Sequence, residues 1–304
     1  MFIKNALNIK NNIFRYALGI FVIFIFTQIG AIPFIVAIFN KVGVEGAAKL
    51  DPSNMMTILE NSNLTFFYTL LSFFVGFIGF LFVIKFLHNQ SFLSVTTSRK
   101  SIDYKRILTS FSAISTFIIL STTISFFISP EEYVLQFNLN DFLILVLIAI
   151  IFIPIQTSLE EYVFRGYLMQ GIGVLFNNKF LPLILTSLSF GFLHFYNPEI
   201  MKLGSVLLVH YVATGLFLGI ITLMDDGIEL ALGFHAGNNL LIALIVTADW
   251  TVFQTTSIFK YIGEPDLINQ SFFTMIVVYP ILLLYFSRKY NWGSWKDKLI
   301  GKVN

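Results

Sequence analysis

The sequence predicts an all-α, polytopic membrane protein: one bundle of about eight transmembrane helices, with N and C termini in the cytoplasm. Three observations carry this. Of 304 residues, 56% are hydrophobic and only 12% are charged, against about 25% charged in a soluble domain. The apolar residues fall in long continuous runs, without the alternation of membrane barrel strands. Lys and Arg gather in some connections and are missing from others.

A membrane-crossing helix needs about 20 mainly apolar residues. Eight segments meet or approach that length, at about 17–39, 65–87, 107–128, 142–167, 181–197, 204–224, 228–248 and 271–287. The first follows Lys4, Lys10 and Arg15. It is too long for a signal-peptide core and lacks a small-residue cleavage site, so it reads as a retained helix. The stretch from about 40 to 64, with Gly43, Gly46 and Pro52, reads as the longest outer loop. The fourth segment is apolar to Ile155 and then enters the charged run EEYVFR. The fifth and eighth are short. The continuous runs make strands unattractive anywhere in the chain.

Lys and Arg set the orientation. The N-terminal arm carries Lys4, Lys10 and Arg15, the connection between segments two and three Arg99, Lys100, Lys105 and Arg106, and the tail Arg288, Lys289, Lys296, Lys298 and Lys302. The connection between segments three and four has only Glu131, Glu132 and Asp141. One connection departs from the pattern. Asp225, Asp226 and Glu229 stand on the cytoplasmic side with no basic residue beside them, although acidic residues weigh little in this rule. There is no internal repeat, low-complexity tract or soluble domain, so residues 1–304 read as a single transmembrane domain. A net charge of +2 gives no reason to expect a nucleic-acid partner. The absence of Cys excludes disulfides, thiolate chemistry and Cys-ligated zinc.

The chemistry sits in a few polar side chains at membrane depth, where ionisable groups are costly and mark function. Glu161 and Arg165 are i,i+4 on a helix and can pair; Glu160 points about 100° away and is left free. The plainer alternative is a solvated helix end with an ordinary salt bridge. His194 has Phe190 one turn earlier on its face, where the ring can fix the imidazole rotamer; alternatively it is an interfacial histidine beside the Asn197–Pro198 turn. His235 and Asn239 share a face as another i,i+4 pair, with Asn238 close by, and interhelical hydrogen bonding is their alternative role. Gly215 and Gly219 form a close-packing face. His210 lacks a spaced partner and reads as a packing or supporting residue, and His88 as interfacial. For the polar groups to meet, the fourth helix must run past Ile155 through Arg165 and the cavity must be recessed and open to the cytoplasm.

Glu160-Glu161-xxx-Arg165, Phe190-xxx-His194 and His235-xxx-Asn239, in that order, resemble the three motifs of the CPBP intramembrane proteases, which include the CAAX prenyl endopeptidases and the bacterial Abi proteins. RGYL at 165–168 and FGFLH at 190–194 are similar to family wording. The resemblance implies a catalytic core at about 142–248, with 1–141 as accessory helices. It implies that Glu160 activates a water with His194, that His235 and Asn239 stabilise the oxyanion, and that Glu161 and Arg165, with Phe190, support the site or hold substrate. There is no HExxH. The physics of oxyanion stabilisation favours a metal-free reaction; zinc held by Glu160, His194 and His235 is the alternative. The implied partners are the lipid bilayer and a peptide or protein substrate in it, prenylated or a leader peptide. The implied location is a bacterial-type cytoplasmic membrane. Two other functions use the same residues: a non-catalytic bacteriocin-immunity or binding protein, and a transporter or proton relay.

Overall fold

The computed structural model describes residues 1–49, 57–264 and 267–303. Eight principal helices follow one another: α1 Ile13–Ala48, α2 Ser62–Leu87, α3 Tyr104–Ile128, α4 Leu139–Leu175, α5 Phe180–Leu193, α6 Leu207–Asp225, α7 Glu229–Ile245 and α8 Gln270–Lys289. Among the described residues six of these are long and apolar enough to cross a membrane, and α5 and α7 are shorter apolar helices. Their outer surface is that of a lipid-facing bundle: Phe14, Phe24, Leu147 and Ile150 are exposed, with no water-facing reason to be so.

Several boundaries move from the sequence expectation, each for a local reason. α1 runs on to Ala48 through a kink at Gly43, whose φ of 72° is open to glycine and strained for other residues. The start of the expected outer loop is therefore helical, and Pro52 lies outside the described residues. α4 does not stop at Ile155. It continues to Glu161, passes through a π-helical turn at Tyr162–Leu168 and resumes to Leu175. α5 ends at Leu193, earlier than expected, because Pro198 opens a new short helix at Pro198–Leu203 and the chain must turn before it. With 14 residues, α5 reaches about 21 Å, less than the ~30 Å hydrocarbon thickness.

α4 packs between α2 and α7, α7 also packs on α3, and α5 pairs with α6. Small residues set these approaches. A Cβ on Gly233 of α7 would lie 2.0 Å from the Ile107 carbonyl oxygen of α3. A Cβ on Gly215 of α6 would lie 2.9 Å from the Ser187 backbone of α5, so the Gly215/Gly219 face does pack closely.

At one end of the bundle the connections form a three-stranded sheet, contrary to the expectation of no strands: β1 Tyr133–Leu135, β2 Val246–Thr247 and β3 Phe259–Tyr261, in the order β1-β3-β2. β1 and β3 are antiparallel, with Tyr133 opposite Tyr261, and β2 and β3 are parallel. The strands are too short for a periodic signature, and they pair because linker backbone groups need partners.

The opposite end is tied by charge. Arg99 bonds to Asp225 at 2.8 Å and to Glu229 at 3.1 Å, and Arg106 to Asp225 at 2.5 Å. Lys298 of the tail pairs with Asp226, which also accepts the Phe2 backbone N–H at 3.1 Å. The acidic turn that lacked basic neighbours in sequence thus receives them from two other segments, the connection carrying Arg99 and Arg106 and the tail carrying Lys298. His88, expected at the interface, is instead fully buried. The N-terminal arm folds over it, placing the Lys10 carbonyl 3.0 Å from Nδ1, and the Tyr167 hydroxyl of α4 lies 2.6 Å from Nε2. His210 packs against the rings of Tyr211 and Tyr279.

Gly233→Ala forces α3 and α7 apart and is expected to cost at least about 1–3 kcal/mol, as overpacking does. Gly293→Ala, with nothing within 4 Å of the added carbon, is expected to be neutral. Thermal unfolding of both variants in detergent checks the pair.

Candidate active site

The site is built on α4. Glu160 and Glu161 close its regular helical part, and the π-helical turn that follows carries Arg165. The side chains of Glu161 and Arg165 are fully buried. Arg165 Nη1 donates to Glu161 Oε1 at 3.0 Å, and Nη2 donates to the Gly215 carbonyl of α6 at 3.2 Å. The same Glu161 oxygen lies 2.7 Å from His235 Nδ1 on α7. Glu161 therefore answers two side chains, and a carboxylate acceptor at Nδ1 requires a proton there, which fixes the ring. His235 Nε2 is left 3.8 Å from Glu160 Oε2.

Glu160 is less buried than its neighbour, with 16% of its side chain exposed. It accepts a hydrogen bond of 2.5 Å from Gln156 Nε2, one helical turn back. Gln156 Oε1 in turn accepts from Asn239 Nδ2 at 3.1 Å, and Asn239 Oδ1 accepts from Asn238 Nδ2 at 3.1 Å. Gln156 thus spans α4 and α7 and couples Asn239 to Glu160.

His194 reaches the cluster through aromatic rings. It caps α5, with Nδ1 2.7 Å from the Phe190 carbonyl oxygen. The Phe190 ring packs at 4.7 Å from the His194 ring and edge-on to His235 at 5.9 Å, and Arg165 lies over it at 4.4 Å. Phe190 therefore contacts three of the polar side chains around it. On its other side His194 stacks on Tyr211 of α6 at 4.1 Å. No hydrogen bond among the described residues joins His194 directly to Glu160 or His235.

The structure thus brings Glu160, Glu161, Arg165, His235 and Asn239 into one hydrogen-bonded and ion-paired cluster, with His194 joined across the Phe190 ring. Among the described residues no group of three His, Cys, Asp or Glu is arranged to hold a metal ion. Three contributors lie outside the sequence motifs. Gln156 had a findable signature, a polar residue one turn before Glu160 in an apolar run. Tyr211 and Glu199 had none, because Tyr211 meets His194, and Glu199 meets Tyr211, only through the fold.

The class defined so far is an integral membrane protein with a buried carboxylate–histidine–amide cluster. The chain matches the family described as Type II CAAX prenyl endopeptidase Rce1-like over residues 139–241, which span α4 to α7. It is 32% identical over 254 residues to the uncharacterized protein YyaK of Bacillus subtilis (strain 168), covering 77% of this chain and 84% of that one. No solved structure matches it. The chain belongs to the Rce1-like family, a family of membrane-embedded proteases.

Arg165→Met leaves the Glu161 charge buried with only His235 to answer it. Breaking such a pair is expected to cost about 3–5 kcal/mol. Adding Glu161→Gln removes the stranded charge and is expected to return part of that loss. Unfolding free energies of the single and double variants in detergent check both statements.

Proposed function

We propose that the protein is an intramembrane endopeptidase that hydrolyses a peptide bond in a membrane-associated substrate, with a carboxylate-activated water and no metal. The observation that carries the reading is the cluster itself: a half-free carboxylate, Glu160, held at 2.5 Å by Gln156 and 3.8 Å from an imidazole nitrogen of His235. Supporting it is membership of a protease family.

Each residue then has a part. Glu160 takes a proton from water as general base. His194, with its proton committed to the Phe190 carbonyl through Nδ1, offers the Nε2 lone pair to orient that water. The new hydroxide adds to the scissile carbonyl carbon, and its oxygen becomes an oxyanion. The Asn239 amide lies on the facing helix, where its N–H stabilises that negative charge; His235, whose Nδ1–H is held by Glu161, adds an Nε2–H as the imidazolium. Collapse breaks the C–N bond, and Glu160 returns its proton to the leaving nitrogen. Glu161 and Arg165 hold α4 against α6 and α7 and keep the donors in place. His194 caps α5, a helix shorter than the hydrocarbon layer of a bilayer. The family description makes a C-terminal prenylated peptide the first substrate to test, with an unmodified leader peptide second.

Purified protein in detergent is expected to cleave one of these peptides. Glu160→Gln is expected to lower the rate at least about 100-fold, the scale of general-base loss, and Asn239→Ala about 10²–10³-fold, the scale of a lost oxyanion donor. Equal cleavage by wild type and folded Glu160→Gln defeats the assignment of Glu160. Cleavage that persists in excess chelator is the expected result for the metal-free mechanism, and its loss, restored by zinc, defeats it.

A further inference from the structure

We propose that Tyr211 and Glu199 form a clamp that sets the tautomer and aim of His194, which makes Tyr211 a positioning residue for the hydrolysis; the inference rests on the protease reading above. His194 sits just outside α5, at φ −87° and ψ 1°, with its backbone N–H bonded to the Gly191 carbonyl at 3.1 Å. Its side chain is also held from three directions. Nδ1 faces the Phe190 carbonyl at 2.7 Å, the Phe190 ring packs on one side, and the Tyr211 ring stacks on the other at 4.1 Å with an interplanar angle of 21°. A carbonyl can only accept, so Nδ1 carries the proton and Nε2 keeps its lone pair. The stacked ring blocks the rotation that would exchange the two nitrogens.

Tyr211 is itself fixed. Its hydroxyl donates to Glu199 Oε1, and Asn197 Nδ2 donates both to that oxygen at 3.0 Å and to the Tyr211 hydroxyl at 3.3 Å. Glu199 belongs to the short helix after His194 and is only 7% exposed. Its second oxygen, Oε2, is buried without a protein partner among the described residues. A buried carboxylate with one unanswered oxygen is costly. A purely architectural acid here is replaceable by an apolar side chain at a gain in stability. One that anchors the ring lying on a reacting imidazole has a reason to stay. The motif pattern names His194 and stops there; the clamp comes from α6 and from the turn behind it.

Histidine-selective ¹⁵N NMR of the protein in detergent tests this, because the chain has 4 His and His194→Gln assigns one ring directly. Wild type is expected to show His194 in the single Nδ1–H tautomer. Tyr211→Leu is expected to give a mixture of tautomers and a kcat lower by about 10–100-fold, the scale of a misplaced reacting group, with KM within about twofold. Tyr211→Phe keeps the ring but loses its bond to Glu199, and is expected to give partial tautomer mixing and a kcat between those of wild type and Tyr211→Leu. Should Tyr211→Leu fail to fold, Glu199→Leu carries the test, with the same tautomer mixing expected. The clamp is overturned if folded variants keep the single tautomer, whether or not kcat falls, since a loss without tautomer mixing is structural. The spectrum is read without substrate, so it judges the clamp even if Glu160→Gln proves active and the protease reading falls.

Discussion

The structure depends on the burial of one carboxylate. Glu161 has no exposed side-chain surface, and a single oxygen meets Arg165 at 3.0 Å and His235 at 2.7 Å. Removing an ion pair from water costs several kcal/mol per charge, and the pairing here offsets it in part, since Glu161 Oε2 and Arg165 Nε are buried without a partner among the described residues. That requirement acts as a geometric constraint. Arg165 must reach the Gly215 backbone of α6, and His235 must face α4 from α7. Three helices are thereby fixed relative to one another, and Glu160 is carried on the next residue into the space between them.

The helix lengths supply the second constraint. α5 and α7 are the short apolar helices of the bundle, and they carry His194 at a terminus and His235 inside. The long α4 brings the carboxylates by continuing beyond Ile155, and its π-helical turn begins right after Glu161. Such turns recur at functional sites, since they re-aim side chains within a continuous helix. The two ends of the bundle differ in how they are closed. One uses strand pairing among connections, the other an ionic network that joins the N-terminal arm, the α2–α3 connection, the α6–α7 turn and the tail.

α7 is the element on which these constraints converge. Its first half is almost wholly buried, beginning with Glu229 in the ionic network and ending with His235 at the site. Gly233 lets it approach α3, while Asn239 reaches Gln156 on α4. The ionic end and the reactive cluster are therefore coupled through one helix, and packing at Gly233 bears on both.

The sequence by itself determined the class. Long uncharged runs have one stable solution in a bilayer, helices that satisfy their own backbone, and the eight runs fall on helices, of which six among the described residues are long and apolar enough to cross a membrane. The i,i+4 pairing of Glu161 with Arg165 was legible for the same reason, because helical spacing is a local property. Gln156 was within reach of that argument too. Other features belonged to the tertiary structure alone. Arg99 and Arg106 answer Asp225 across more than a hundred residues, His88 is buried by an arm that shows no apolar periodicity, and the short strands pair across distant connections. The double service of Glu161, the bridge of Gln156 to Asn239 and the stacking of Tyr211 on His194 are of this kind. Spacing along a chain fixes which side chains share a helix face; which faces meet is set by close packing between helices, and only the folded bundle decides that.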